Sequence, residues 1–241
     1  MNSKKFFYSG TAFMLIFSSV TAAKDLNGFL TAQMSPDSLA ILPPPPEENS
    51  AVFSADKSLY ESGRALRNTE RARLAREDAD YKNFGHAFSP AFGMAISKKS
   101  TPEIYQLLTS VLQDSHDYAM RSAKNHYKRV RPFVIYSDPT CTHEKDKKMA
   151  GTGSYPSGHA SFGWAAALVL AEINPDRKTE ILRRGYDFGE SRVLCGAHWQ
   201  SDVDAGRLIG AAVVAVLHDN SGFNEKLRSA KTEFAQLKNS E

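Results

Sequence analysis

Cysteine is scarce: Cys141 and Cys195 are the only two in 241 residues, and the chain has neither a CxxC pair nor an HExxH segment. That argues against a zinc site built on thiolates or on the zincin pattern. An excess of one charge is also missing, since 30 Lys and Arg face 27 Asp and Glu for a formal charge of +3. Such a balance gives no general reason to expect nucleic acid or an anionic membrane as partner, so any anion the protein prefers must be held by a local cluster. No segment after the first residues looks like a membrane span. Convincing apolar–polar alternation is absent as well, which leaves an all-α fold as the expectation.

What is present begins with an export signal. The opening "MNSKKFFYSGTAFMLIFSSVTAAKD" carries Lys4 and Lys5, a mostly apolar stretch from Phe6 to Val20 and small residues at Thr21, Ala22 and Ala23. This layout predicts a signal peptide over residues 1–23, cleaved after Ala22 or Ala23, and a periplasmic mature protein. Ser9, Gly10 and Thr11 interrupt the run too early for a retained anchor, so no stable membrane anchor is expected. In an oxidising compartment an even pair of cysteines reads as a Cys141–Cys195 disulfide, the alternative being two buried free thiols.

The remainder, residues 24–241, is long enough for one sizeable core and reads as a single domain. Residues 24–55 form an irregular arm around "LPPPP", whose prolines favour extended polyproline II. One or two charged surface helices follow to Asp80. Thr101, Pro102 and Glu103 supply cap, first position and first-turn acid for a helix with an apolar face from Ile104 to Leu112. Helical pattern resumes in "YAMRSAKNHYKRVRP" and stops near Pro132, and residues 137–155 read as a long loop. "HASFGWAAALVLAEI" is apolar almost all round, as a central helix of a compact bundle would be, and Asn174 and Pro175 separate it from the next helix. In the last long helix Gly206 and Gly210 form a GxxxG pair read as close helix packing in a bundle.

Three polar segments hold the chemistry. Lys124 and Arg131, seven apart, fall two turns apart on one predicted helix with Lys128 beside them, either an anion-binding face or a solvated basic one. In "YPSGHAS", Ser157 sits as N-cap with Gly158 and His159 in the first turn of the buried helix. Free amides at a positive dipole end make an anion site there, the bland reading being a simple cap. In "SRVLCGAHWQSDVDAG", Arg192 precedes His198, and Asp202 lies four residues on. A carboxylate bonded to one imidazole nitrogen leaves the other unprotonated and nucleophilic, unless the pair is only a helix cap. Three cations gathered at one site would stabilise the charge of a bound anion. His86, His116, His126, His143 and His218 are assigned surface or structural positions.

Taken in order, Lys-x6-Arg-Pro, Pro-Ser-Gly-His and Ser-Arg-x5-His-x3-Asp resemble the full signature of the type 2 phosphatidic acid phosphatase superfamily. "LPPPP" and "CGAHWQSDVDAG" are similar to the class A bacterial non-specific acid phosphatases within it. The resemblance implies an acid phosphatase acting on a broad range of small-molecule phosphomonoesters without a cofactor or metal, possessing phosphotransferase capacity, and forming a dimer-based homo-oligomer. It implies that Lys124, Arg131 and Arg192, with Ser157 and the amide of Gly158, hold the phosphoryl oxygens. His198 then attacks phosphorus to give a phosphohistidine, Asp202 fixes its tautomer, and His159 serves as general acid and then base. Two other readings share the anion cradle: a vanadium-dependent haloperoxidase and a non-catalytic phosphate-binding protein. The second has no use for two histidines at one anion.

Overall fold

The structure, a computed structural model, describes residues 28–240; the expected export signal lies outside them. Regular structure among these residues is helical throughout and no strand is present, so the all-α expectation holds. A single turn, α1 (Ser38–Ile41), precedes the extended proline run. Ser50 then caps α2 (Ala51–Ala65) by accepting the Phe53 amide at 3.1 Å, so the irregular arm gives way to helix at Ala51 rather than after residue 55. A further surface helix is α3 (Glu70–Asp78), and α4 (Phe84–Phe92) follows with Phe84, Phe88 and Phe92 buried in the core.

Next comes α5 (Pro102–Leu112), the helix signalled by Thr101-Pro102-Glu103. Its cap differs from the expected one. The Thr101 hydroxyl bonds the Ala95 carbonyl at 3.0 Å, and the Glu103 and Ile104 amides are met at 3.1 Å each by the Glu233 carboxylate. A widened, π-helical turn over Gln113–Tyr118 follows. There the buried Asp114 accepts the Phe29 and Leu30 amides at 2.9 and 3.1 Å and fastens the N-terminal arm to the bundle.

The basic segment departs from its predicted shape. α6 (Arg121–Tyr127) ends at Lys128, which adopts a left-handed φ of 46°, and Arg131 lies beyond the break in extended conformation ahead of α7 (Pro132–Ile135). Pro132 excludes Arg131 from the helical region, and the chain reverses before reaching it. Lys124 and Arg131 therefore meet by this reversal, not along one helix face, and Lys128 is left exposed. The 137–155 segment is not wholly irregular either, for α8 (Asp146–Ala150) supplies one turn in its middle.

At the centre is α9 (Gly158–Ile173), with Ala165, Ala166 and Ala167 fully buried. It packs against α10 (Lys178–Leu194) and α11 (Gln200–Leu217), and α12 (Ser221–Lys238) closes the bundle against α5. A Cβ on Gly206 or Gly210 would stand 2.4 Å from the Ser157 or Ser161 carbonyl oxygen, so the glycine pair lets α11 lie directly on the backbone of α9. That contact fixes the start of α9 against the start of α11, where the two histidine-bearing segments lie. Cys141 and Cys195 form a disulfide that ties the 137–155 segment to the end of α10.

Candidate active site

The end of α6, the stretch before α7, α8 and the first turn of α9 surround a cavity of about 590 Å³, together with the last turn of α10 and the residues before α11. Lys124, Arg131, Gly158, His159, Arg192 and His198 all line it. Segments separated by up to 74 positions in the numbering thus present three cations and two imidazoles to one space.

His198 is 3% exposed and its tautomer follows from its neighbours. Arg131 Nη1 lies 3.0 Å from Nε2, and since a guanidinium only donates, Nε2 is the unprotonated acceptor. On the other side Nδ1 is 3.5 Å from Asp202 Oδ2, too far for a strong direct bond, and 3.3 Å from the Ser154 hydroxyl. Ser154 in turn donates to Asp202 Oδ2. The expected His–Asp bond is therefore relayed through Ser154. Asp202 is fully buried and also accepts the Trp199 amide at 2.8 Å, which caps α11. Burial, reinforced by Arg131, Lys124 and Arg192, holds the His198 pKa well below its usual value.

The three cations are held in different ways. Lys124 Nζ donates to the Gly153 and Pro156 carbonyls at 3.1 and 2.6 Å, and burial followed by repulsion from Arg131 lowers its pKa to about 7. Arg131 is gripped by the Met149, Thr152 and Ala197 carbonyls. Arg192 is 1% exposed, yet among the described residues its Nε and Nη1 have no hydrogen-bond partner, and Nη2 meets only the Met149 sulfur at 3.8 Å. Burial and Arg131 pull its pKa down to about 10. A buried guanidinium with two orphan nitrogens beside a cavity is suited to receive an anion.

At the head of α9 the Gly158 and His159 amides have no protein acceptor among the described residues and stand at the positive end of a helix of 16 residues. Ser157 is set back. Its hydroxyl caps the helix at 3.4 Å from the Ala160 amide, its own amide donates to the Asp202 carbonyl at 2.9 Å, and it is absent from the cavity wall. Gly158 packs against the His116 ring, which a Cβ would approach to 3.0 Å. His159 turns Nε2 towards the Ala79 carbonyl at 3.3 Å, and burial, then Arg192, His116 and His198, keep its pKa well below the usual value.

Several residues of the site are not singled out by the motifs. Arg129 bridges two buried carboxylates, Asp202 at 2.6 Å and Asp56 of α2 at 2.8 Å, and so fixes the base of the His198 relay. Its sign was the KRVRP alternation, in which Arg129 and Arg131 point apart after the helix breaks. Ser154 left none. His116, expected at a surface or structural position, instead lines the cavity on the π-helical turn, its ring tilted against Tyr81 at 4.4 Å and edge-on to His159 at 5.4 Å between ring centroids.

Residues 104–225 match the PAP2 superfamily. A "Non-specific acid phosphatase" of Providencia stuartii is 52% identical over 221 residues, 91% of this chain and 89% of that protein. One of the same name from Salmonella typhimurium is 41% identical over 93% of this chain and 91% of its own. An "Acid phosphatase" of Zymomonas mobilis is 39% identical over 85% of this chain and 78% of its own. With the family match and these full-length similarities taken together, the chain belongs to the PAP2 superfamily and, within it, to the bacterial non-specific acid phosphatases.

Proposed function

We propose that this acid phosphatase hydrolyses a broad range of phosphomonoesters through a phosphohistidine on His198, without a metal, in the periplasm. The observation that carries the reading is Arg192: a cation buried with two unpartnered nitrogens, facing the same cavity as Lys124, Arg131 and two imidazoles. A tetrahedral anion satisfies the orphan nitrogens and relieves the mutual repulsion of the three cations.

In the first half-reaction the Nε2 lone pair attacks phosphorus as the bond to the leaving oxygen breaks, and His159 gives that oxygen a proton. In the second, water attacks phosphorus as the phosphorus–nitrogen bond breaks, His159 takes the water's proton, and the electron pair returns to Nε2 so that His198 is released neutral. Replacing water by an alcohol makes the same intermediate a phosphoryl donor. The bound ester brings the negative charge that lets His159 hold its proton, since burial and Arg192 keep the ring neutral in the empty site. Lys124 and both arginines stabilise the charge spread over the equatorial oxygens. Release of phenolate from p-nitrophenyl phosphate in the presence of a chelator tests the reading; activity that is lost to the chelator and restored by a divalent metal contradicts it.

The direction of each shift sets a pH profile. His198 must be neutral to attack, and its lowered pKa keeps it so well below pH 6.5, which leaves the acid side open. Lys124, with a pKa of about 7, loses its charge above neutrality, so the alkaline limb of kcat/KM falls near that pH. Arginine does not lose its proton there. Lys124→Arg is therefore expected to move the alkaline limb upward on the same substrate, even if the maximum drops. A limb that stays in place assigns it to His159, which must also carry a proton, or to the substrate's own ionisation, and removes Lys124 from this role.

A further inference from the structure

Outside the phosphate cradle the cavity wall carries a second set of cations. Lys82, Arg121, Lys145 and Lys148 all line it, against two carboxylates, Asp80 and Asp117. Asp117 is already engaged, 2.7 Å from His116 Nδ1, and Asp80 accepts the Lys82 amide at 3.3 Å. None of the four cations has a carboxylate within ion-pair distance among the described residues, whereas many other basic side chains of the protein do. Unpaired lysines on a convex surface are simply hydrated. Gathered on one concave wall, they focus a positive potential into the cavity.

The side of the cavity they occupy matters. An in-line displacement by His198 puts the leaving oxygen opposite the attacking nitrogen, on the side of His159. Lys145 Nζ reaches the Ala79 carbonyl oxygen at 3.4 Å, the same oxygen that His159 Nε2 faces at 3.3 Å. The Lys145 ammonium therefore stands beside the group that protonates the leaving oxygen, where the remainder of the ester must lie. Tyr81, Met120 and Met149 give that part of the wall its apolar surface.

We propose that the site selects phosphomonoesters whose leaving group bears its own negative charge, a carboxylate or a second phosphate, with Lys145 as the specificity-determining residue and Lys82 and Arg121 in support. This rests on the phosphomonoesterase reading above. Charge on the leaving group gains attraction from the outer cations that a neutral one lacks, and the gain appears in KM because the chemical step is common to both.

The matched probes are 4-carboxyphenyl phosphate and 4-carbamoylphenyl phosphate, nearly equal in size and differing in charge. At low ionic strength the charged ester is expected to have a kcat/KM about three- to tenfold higher, a preference that fades with salt. Lys145→Gln should bring the ratio towards one, and Lys145→Glu should lower it further. A damaged fold lowers both esters together and leaves the ratio alone, so the ratio reports specificity. The bisphosphate of benzene-1,4-diol, compared per scissile group, shows which anion the subsite favours. A wild-type ratio of one, or a ratio untouched by both Lys145 substitutions, overturns the proposal while hydrolysis itself continues. Failure to hydrolyse any of the esters overturns the parent reading with it.

Discussion

His198→Ala is expected to lower kcat by at least about 10⁴-fold, because removing the nucleophile of a covalent mechanism removes the step itself and leaves only binding and charge stabilisation. The loss should be nearly complete even though the cradle survives: Arg131 remains held by the Met149, Thr152 and Ala197 carbonyls, and Arg192 is untouched. Phosphate should therefore still raise the unfolding temperature of the variant. His198→Gln, which fills most of the space, serves as the second case and should be equally inactive. A variant that turns over within tenfold of wild type would take the nucleophile role away from His198.

Arg192→Met is expected to separate stability from function in the opposite sense. The native guanidinium is buried with Nε and Nη1 unpartnered, a cost that an apolar side chain of similar length does not carry. The unliganded variant should be as stable as wild type or more stable, by up to about 4 kcal/mol, while kcat/KM falls about 10²- to 10³-fold. Added phosphate should stabilise wild type by about 2.7 kcal/mol at a hundred times its dissociation constant and the variant by much less at the same concentration. If the variant instead unfolds several degrees earlier and keeps the full response to phosphate, Arg192 is structural and the cradle lacks its central cation.

How much of this could be read in advance differs from residue to residue for physical reasons. The central helix announced itself because an all-round apolar, alanine-rich run has no stable place except the middle of a bundle, and its Gly206–Gly210 contact followed from the absence of side chains there. His198 and Asp202 were legible as partners because they lie four apart. That Ser154 stands between them was not, since a serine in a loop carries no periodic sign and reaches the pair only through tertiary packing. Helical spacing predicts that Lys124 and Arg131 share one face, whereas in the molecule the left-handed turn at Lys128 brings them together. Arg129 was passed over because a basic residue among basic residues looks like solvent-facing charge; only the two buried carboxylates it joins, from α2 and α11, reveal its place. Ser157 kept its cap and is set back from the cavity, while His116 gained a place on the wall because the π-helical turn swings it there.

The central claim is that one phosphoryl group passes from ester to His198 Nε2 inside a ring of three cations. Turnover with a radiolabelled ester, stopped by rapid quenching in alkali and followed by peptide mapping, tests it most directly, because a phosphohistidine survives base and is lost in acid. The account predicts label on the peptide that contains His198, absent in His198→Ala. Label on another residue, or product formed at full rate with no protein-bound phosphate at any time, would contradict it.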